Sequence, residues 1–312
     1  MTKVFRGLEG LPSFKNAVVT IGTFDGVHSG HKKLLQFLRN ASSEINGESV
    51  VITFWPHPRM VLHPEDDSLR LLNTIDEKIA LLENEGIDNV IILPFTVEFS
   101  KMNYADFVRE ILVDKLHTTL LIVGHDHHFG KNREGSLKEL EELSGIYDFK
   151  LIEVPPRLVG GVPVSSSKIR KFLLDGDIDS AFSYLGYYYN VSGTVVHGDK
   201  IGRELGYPTA NIEPDEKYKQ LPDDGIYTVR VLIRDEIYGG MASIGFRPTV
   251  NGQQRVFEVN VFDFDQIIYG EKITVLFLAK LRNQVKFANL LQLAQQMNVD
   301  KVQSIEILSN LQ

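Results

Sequence analysis

The chain has no cysteine, which excludes disulfide bridges, thiolate metal sites and a cysteine nucleophile. A chain without thiols fits a reducing compartment, so we expect a cytoplasmic protein. No run of about 18 apolar residues is present, so we expect no membrane-spanning helix. The first ten residues also lack the apolar core of a signal peptide.

Basic residues are fewer than acidic ones, so the formal net charge is −8 at pH 7. This acidic balance disfavours non-specific binding to nucleic acid or to an anionic membrane surface. Local basic groups can still bind small anionic ligands, since net charge says little about a single pocket. With 312 residues, 43% of them hydrophobic, the chain is long enough for about two domains with real cores.

The first part of the chain alternates predicted strands with predicted helices. Short β-branched apolar runs predict buried strands at Ala17–Ile21, Val50–Phe54, Val90–Leu93, Leu120–Val123 and Leu151–Val154. Helical patterns lie between them at His31–Arg39, Asp76–Asn84 and Tyr104–Leu116. This alternation predicts a doubly wound parallel α/β sheet, with ligand-binding loops where the strands end at their carboxyl side.

The pattern changes after about Tyr189. Short β-rich segments follow one another at Val191–Val196, Ile226–Ile233, Ile237–Ile244, Val256–Phe264 and Lys272–Leu278. Turn-forming residues separate them, which predicts an antiparallel β-barrel followed by a helix over about residues 283–297. We therefore expect two domains, residues 1–183 and 184–312.

The first candidate site follows the first predicted strand, at Gly22–His31. Its glycines allow tight turns, and the helix that begins there offers free N–H groups, which is typical of a phosphate site. His28 and His31 are three residues apart and can donate hydrogen bonds to phosphoryl oxygens. Taken alone, the segment is equally consistent with a strand–helix turn that carries two surface histidines.

Further polar segments follow the later strands, at Thr53–Pro58, Gly124–Gly130 and Ser165–Arg170. The fold rule for parallel sheets brings them to the same edge. Serines at a helix start beside an arginine suit a triphosphate, although an N-cap and a surface charge explain them equally well. The histidines of the second segment, His125, His127 and His128, leave a metal site open as an alternative.

Together these segments resemble the nucleotidyltransferase superfamily that carries the His-x-Gly-His signature. They are most similar to the FMN adenylyltransferase module of bacterial bifunctional riboflavin kinase/FAD synthetases. The matching stretches are Gly22–His31, Thr53–Pro58, Leu71–Phe95, Gly124–Gly135 and Val164–Leu173. The resemblance implies that ATP is bound by Gly22, Phe24, His28, Gly30, His31, Asp126, Ser166, Ser167 and Arg170, with His28 and His31 in catalysis. It also implies that Phe95 and Phe99 contact the flavin, while His127 stands where the family usually has an aromatic ring.

The second candidate site is a glycine-rich segment in the predicted barrel, Gly193–Asn211. Thr209 and Asn211 alternate on an extended chain, so their oxygens point the same way and suit Mg²⁺. Glu258 lies on a predicted strand, where it is either a solvated face residue or a group that deprotonates an alcohol. A glycine-rich turn followed by polar strand residues remains the alternative for this segment as a whole.

This segment resembles the flavokinase signature through its Pro-Thr-Ala-Asn core at Pro208–Asn211. The resemblance implies a kinase site for ATP and Mg²⁺ at Gly198, Gly202, Arg203, Gly206, Pro208, Thr209 and Asn211, with Thr209 and Asn211 at the metal. It further implies that Glu258 is the general base for the riboflavin hydroxyl and that Arg247 lies near the flavin. Phe246 and the junction Gly186–Tyr189 depart from the family pattern without touching these residues.

The two resemblances cover nearly the whole chain in the family's order. They imply a bifunctional enzyme that phosphorylates riboflavin to FMN and adenylylates FMN to FAD, with ATP as co-substrate and Mg²⁺ as cofactor. The alternatives are an enzyme with one of the two activities and a flavin-sensing protein without turnover. We expect riboflavin, FMN, FAD and ATP as partners, and neither nucleic acid nor membrane, while the oligomeric state stays open.

Overall fold

A computed structural model describes residues 1–125, 129–131, 134–198, 206–249 and 252–311, without the side chains of residues 247–249 and 252–254. By its internal packing the chain divides into two compact units, Met1–Ser166 and Ser167–Gln312. The helices that precede the barrel therefore group with it. The expected boundary between residues 183 and 184 stays a prediction.

The first unit is built on a parallel sheet in the strand order β1-β4-β3-β2-β5-β6. Every strand pair described in this sheet is parallel. From β2 the order runs outward through β3 and β4 on one side and through β5 and β6 on the other, which is the doubly wound arrangement, and β1 is added at the edge beside β4. The strands are β1 (Lys3–Arg6), β2 (Val18–Ile21), β3 (Ser49–Trp55), β4 (Asn89–Pro94), β5 (Leu120–Gly124) and β6 (Lys150–Val154), and a separate hairpin is formed by β7 (Leu158–Val159) and β8 (Val162–Pro163).

Helices cover both faces of this sheet, because neighbouring strand residues belong to different cores. Val19 packs in one buried cluster with Phe107 and Leu140, whereas Val18 packs in the other with Leu35 and Leu82. Alternate side chains of a strand point to opposite faces, so each face buries its own layer of helices. The helices of this unit are α1 (Ser29–Glu44), α2 (Pro58–Leu62), α3 (Ile75–Asn84), α4 (Tyr104–Asp106) with its π-helical continuation Phe107–Val113, and α5 (Leu137–Tyr147), with a 3₁₀ turn at Phe99–Lys101.

The second unit begins with two helices and continues as a closed barrel. The barrel order is β10-β13-β12-β11-β14-β9, and all of its described pairs are antiparallel. Tyr227 packs edge-on against Phe277 with ring centroids 5.3 Å apart, and both rings are buried. The elements are α6 (Ser166–Asp175), α7 (Ile178–Leu185), β9 (Asn190–Val196), β10 (Ala210–Pro214), β11 (Gly225–Ile233), β12 (Glu236–Thr249), β13 (Gly252–Val261), β14 (Lys272–Arg282) and the C-terminal helix (Leu290–Asn310).

The expected fold, a doubly wound sheet followed by an antiparallel barrel and a terminal helix, is confirmed. Four strands, β1, β7, β8 and β10, were not predicted, because two to five residues give a weak periodic signal. The terminal helix starts at Leu290 instead of about residue 283. Strand β14 continues to Arg282, and the Asn289 side chain caps the helix by accepting a hydrogen bond from Gln292 N at 3.0 Å.

A buried ion pair joins the C-terminal helix to the barrel. The Arg282 guanidinium donates to Asp300 from Nε at 2.9 Å and from Nη2 at 2.7 Å, and the Asp300 side chain is 2% exposed. Gln296 also donates to this carboxylate at 2.9 Å. No helix in the described part of the chain combines the length and the apolar character needed to cross a membrane.

We predict that Asp300→Ala destabilises the second unit by about 3 kcal/mol, because it leaves the Arg282 guanidinium without its buried acceptor. Urea unfolding followed by circular dichroism measures the loss. Glu306→Ala on the exposed side of the same helix is the control and should change stability by less than about 0.5 kcal/mol. Equal effects of the two substitutions would contradict a structural role for the pair.

Candidate active sites

The loop between β2 and α1 has a strained backbone. Phe24 has a φ of 47°, Gly26 of 88° and Val27 of 33°. A left-handed conformation is rare for an aromatic or β-branched residue and costs on the order of 1–3 kcal/mol. Such strain persists where the surrounding structure enforces it, which is common at ligand-binding loops.

Two histidines meet where this loop enters α1. The rings of His28 and His31 stack with centroids 3.6 Å apart and planes at 12°. His28 caps the helix, because its Nδ1 accepts a hydrogen bond from the His31 backbone N–H at 3.3 Å. Accepting at Nδ1 leaves the neutral His28 ring with its proton on Nε2. Gly30 leaves room for this pair, since a Cβ there would come within 3.2 Å of the His28 ring.

The His31 imidazole is neutral at pH 7. Burial lowers its pKa well below the ordinary 6.5, and the charges of His28 and Lys78 lower the pKa further. Its Nδ1 is buried without a hydrogen-bond partner in the described part of the chain. Phe24 packs edge-on against the same ring at 5.1 Å. The pair therefore offers a neutral imidazole, that of His31, at a helix N-terminus, where phosphate oxygens accept hydrogen bonds.

Two buried charged residues that the sequence did not single out are Asp25, within this loop, and Lys78 on α3. Asp25, 4% exposed, accepts a hydrogen bond from Leu72 N at 2.8 Å through Oδ1. Lys78, also 4% exposed, donates to Thr53 Oγ1 at 3.3 Å. Burial lowers the pKa of Lys78 to about 8, and Asp25 opposes that shift. The signal available in the sequence was the spacing of Lys78 and Leu82, four apart on the buried side of α3.

The remaining predicted residues of the first site fall into three groups. Ser166 Oγ donates to the Asp25 carbonyl at 2.8 Å, so this serine reaches the strained loop. Ser167 and Arg170 lie on α6 in the second unit, where Arg170 Nη2 donates to Ser167 Oγ at 3.2 Å. Asp126, together with His127 and His128, lies outside the described residues.

An aromatic cluster stands at the ends of β3 and β4. The rings of Phe95 and Phe99 lie 5.7 Å apart, and each lies 5.8 Å from Phe54. Phe95 and Phe99 are half-buried, so part of each ring remains accessible. Edge-to-face rings with open surface form an apolar contact area on which a planar aromatic ligand can pack.

In the barrel, strand register places Glu258 between two polar neighbours. Asn211 of β10 is its partner on one side, and Ser243 of β12 is its partner on the other. Residues directly opposite in antiparallel strands carry their side chains on the same face. Gln284 extends this row, because its Nε2 donates to Ser243 Oγ at 3.3 Å. A half-buried carboxylate is thus flanked by an amide and a hydroxyl.

The glycine-rich segment approaches the same row. A Cβ on Gly198 would collide with the Asn211 side-chain amide, so only glycine permits this approach. The Pro208 carbonyl accepts a hydrogen bond from Asn260 at 2.7 Å, and Gly206 has a left-handed φ of 79°. Gly202 and Arg203 lie outside the described residues, and so does the side chain of Arg247.

A cavity of about 290 Å³ opens beside Thr209. Its wall includes apolar side chains of β13 and of the segment after it, among them Val259, Ile268 and Tyr269. The Tyr269 ring stacks on His197 with centroids 4.0 Å apart. A cavity with apolar walls and the polar groups of Thr209, Asp265 and Gln266 suits a heteroaromatic ring joined to a polar tail.

Both units match known protein families. The FAD synthetase family model matches residues 11–168, and the riboflavin kinase family model matches residues 185–308. Among curated proteins, the bifunctional riboflavin kinase/FMN adenylyltransferase of Escherichia coli strain K12 is 36% identical over 307 residues, covering 97% of both chains. Its counterpart from Buchnera aphidicola subsp. Schizaphis graminum is 36% identical over 304 residues, covering 96% of both.

One solved structure is similar over nearly the full length. A crystal structure described as a macrolide-efflux protein from Streptococcus pneumoniae superposes with a TM-score of 0.88 at 32% identity. The match covers 96% of this chain and 97% of that one. The two proteins therefore share the sheet-then-barrel fold.

We predict that His31 makes the first unit less stable in mild acid. Because its pKa is lowered on folding, it is neutral in both states above pH 6.5 and contributes no pH dependence there. As the pH falls below 6.5 the unfolded chain takes up a proton that the folded chain does not, and stability falls by up to about 1.4 kcal/mol per pH unit. Urea unfolding at pH 7.5 and 5.5, followed by the fluorescence of Trp55, the one tryptophan in the sequence, measures the loss.

The control variant for this prediction is His31→Gln, which removes the titrating group. Its unfolding midpoint should fall less than that of the parent between the two pH values. Identical pH dependence in the two proteins would show that burial does not depress the pKa of His31.

Proposed function

Because this chain belongs to the family of bifunctional riboflavin kinase/FMN adenylyltransferases, we propose how its two sites divide the two reactions. The protein is a transferase that phosphorylates riboflavin to FMN and transfers an adenylyl group from ATP to FMN, giving FAD and pyrophosphate. Both reactions use ATP with a divalent metal ion.

In this proposal the first unit carries out adenylyl transfer at the strained loop. The observation that supports it is the stacked His28–His31 pair at the N-terminus of α1. There the ring N–H groups and the helix dipole can stabilise negative charge on a polyphosphate. The ATP-binding set we propose is Gly22, Phe24, His28, Gly30, His31, Asp126, Ser166, Ser167 and Arg170.

The chemistry of this step asks for alignment and charge neutralisation. An oxygen of the FMN phosphate attacks the α-phosphorus of ATP, a new P–O bond forms, and the bond to the bridging oxygen breaks as pyrophosphate leaves. No proton has to move and no covalent enzyme intermediate forms. The groups that bind the two anions thus do most of the work. We assign the accessible rings of Phe95 and Phe99 to the flavin.

For the kinase reaction we propose Glu258 as general base. Its place between Asn211 and Ser243 on one face of the barrel strands supports this role. The carboxylate accepts the proton of the riboflavin 5′-hydroxyl while the hydroxyl oxygen bonds to the γ-phosphorus and ADP leaves. The cavity beside Thr209 is suited to the adenosine part of ATP, and Arg247 is assigned to the flavin side.

We propose Mg²⁺ as the metal ion, held by Thr209 and Asn211. A hydroxyl and an amide oxygen are ligands of the kind that Mg²⁺ prefers. The surroundings of Asn211 support this assignment, because Asn211 is the strand partner of the carboxylate Glu258 and its amide lies against Gly198, where no Cβ can be accommodated. When bound, the ion neutralises phosphate charge. Gly198, Gly202, Arg203, Gly206 and Pro208 complete the proposed ATP-binding segment.

We further propose that the enzyme works in the cytoplasm, since both of its reactions consume ATP.

One assay tests the assignment of one reaction to each site against the alternatives of a single activity or a flavin sensor. The purified chain is incubated with ATP and Mg²⁺ and with either riboflavin or FMN, and the flavins are separated by chromatography. We expect FMN and FAD from riboflavin, and FAD from FMN. A product from only one of the two steps, or no turnover, would contradict the proposal.

Glu258→Gln should lower FMN formation by about 100-fold or more, because the amide cannot accept the hydroxyl proton. FAD formation from supplied FMN should stay within about twofold of the parent. Glu213→Gln, an exposed residue on β10, is the matched control and should leave both rates unchanged. Loss of both activities in a folded Glu258→Gln protein would rule out separate sites.

His31→Asn should have the opposite effect. It removes an imidazole donor from the phosphate site, so FAD formation should fall by about 100-fold while FMN formation persists. The matched control is His117→Asn, because His117 is exposed and its left-handed φ of 47° suits asparagine. FAD synthesis within tenfold of the parent would mean that His31 is misassigned.

A further inference from the structure

Lys78 is a buried cation in the first unit. It lies on α3, on the side of the helix that also buries Leu82, and only 4% of its surface is exposed. Lysine is almost never buried to this degree unless it is paired, because transferring an ammonium group out of water is unfavourable. Its burial therefore asks for an explanation other than core packing.

The partners of Lys78 do not neutralise it. Its Nζ donates to the Thr53 hydroxyl at 3.3 Å, and no carboxylate among the described residues lies at ion-pair distance from it. Asp25 acts on the ammonium only through its field, which raises the pKa that burial lowers to about 8. A lysine kept for stability alone would be expected to have a direct counter-ion.

A short hydrogen-bond chain connects Lys78 to the strained loop. The ammonium donates to Thr53 Oγ1, and the same hydroxyl donates to the Thr23 carbonyl at 3.3 Å. A charged donor polarises such a chain and strengthens its second bond. Lys78 thereby holds the loop that leads to the stacked histidines.

The charge of Lys78 also acts on the histidines themselves. It helps to keep the imidazole of His31 neutral, together with burial and His28. Of the titratable groups that the structure describes, Asp25 and His31 act electrostatically on the ammonium, and His28 stacks on His31.

We propose that Lys78 is a positioning residue for adenylyl transfer, whose ammonium holds the Gly22–His28 loop through Thr53 and keeps positive charge behind the His28–His31 pair. The inference rests on the proposed role of that pair in binding ATP. A buried cation that has no carboxylate at ion-pair distance in the described ranges disfavours the empty site and favours an arriving polyphosphate. It therefore contributes to ATP binding and alignment without touching the reacting atoms.

The test uses the full chain with Lys78→Met, which keeps the shape of the side chain and removes its charge. We expect kcat/KM for ATP in FAD formation to fall about tenfold or more, while FMN formation stays within about twofold. The urea midpoint reported by Trp55 should stay the same or rise, because an unfavourable buried charge is gone. Lys115→Met, which removes the same charge from an exposed position, should change none of the three readouts.

A purely structural lysine would give a different result. In that case the midpoint would fall and FAD formation would drop only in proportion to unfolding, which overturns the proposal. Unchanged FAD formation in a stable Lys78→Met protein overturns it as well.

The pH profile of FAD formation adds a readout that does not depend on folding. In the parent, kcat/KM for ATP should decline above about pH 8 as the free enzyme loses the Lys78 proton, and this decline should be absent in Lys78→Met.

Thr53→Val tests the hydrogen-bond chain with a side chain of the same shape. FAD formation should fall in this variant too, and the double variant should be little worse than Lys78→Met alone, because both changes break one connection. Fully additive effects would place the two residues in separate roles and contradict the proposed hydrogen-bond chain.

His31→Asn distinguishes a failure of the inference on Lys78 from a failure of the proposed adenylyl-transfer site. If it abolishes FAD formation while Lys78→Met does not, only the inference on Lys78 fails, whereas activity in both variants refutes the assignment of the site.

Discussion

Strand register is the constraint on which both sites depend. In the first unit, parallel pairing aligns the carboxyl ends of β2 and β3, so the loop after one strand reaches Thr53 on the other. In the barrel, antiparallel pairing sets Asn211, Glu258 and Ser243 side by side. A slip of one residue in either sheet would turn these side chains to the opposite face. The backbone hydrogen bonds of the two sheets therefore determine which functional side chains become neighbours, although they take no part in the reactions.

Much of the fold was predictable because its signals are local. Five of the six strands of the sheet, β2 to β6, and the turn-separated barrel strands appear as short apolar runs, and each predicted run overlaps an observed strand. His28 and His31 stood out because their motif is contiguous. Terminal features were harder, since the start of the C-terminal helix is decided by where β14 ends.

The groups that sequence reasoning missed act through contacts between distant segments. Lys78 is an ordinary helix lysine until α3 packs on the sheet and brings it to Thr53, and Asp25 is a loop acid until Leu72 donates to it. Backbone strain is missed for the same reason. The sequence shows only that residue 27 is a valine, and the unfavourable φ of 33° at Val27 is visible only in the structure. Together the buried ammonium, the neutral His31 and the bent loop lower the stability of the ligand-free unit. Such local instability is the usual companion of a preorganised site.

Closure of the barrel has a consequence for how the chain is made. The barrel closes only when β9 pairs with β14. The first strand of the barrel therefore cannot complete its pairing until the last strand has left the ribosome. Contacts so far apart in sequence form slowly, and until then the edge of β9 that faces away from β10 remains unpaired. The parallel sheet precedes it along the chain and needs no residue of the barrel strands for its own pairing. During synthesis the α/β unit can therefore fold first, while the barrel segment is the part of the nascent chain most exposed to aggregation and to chaperones.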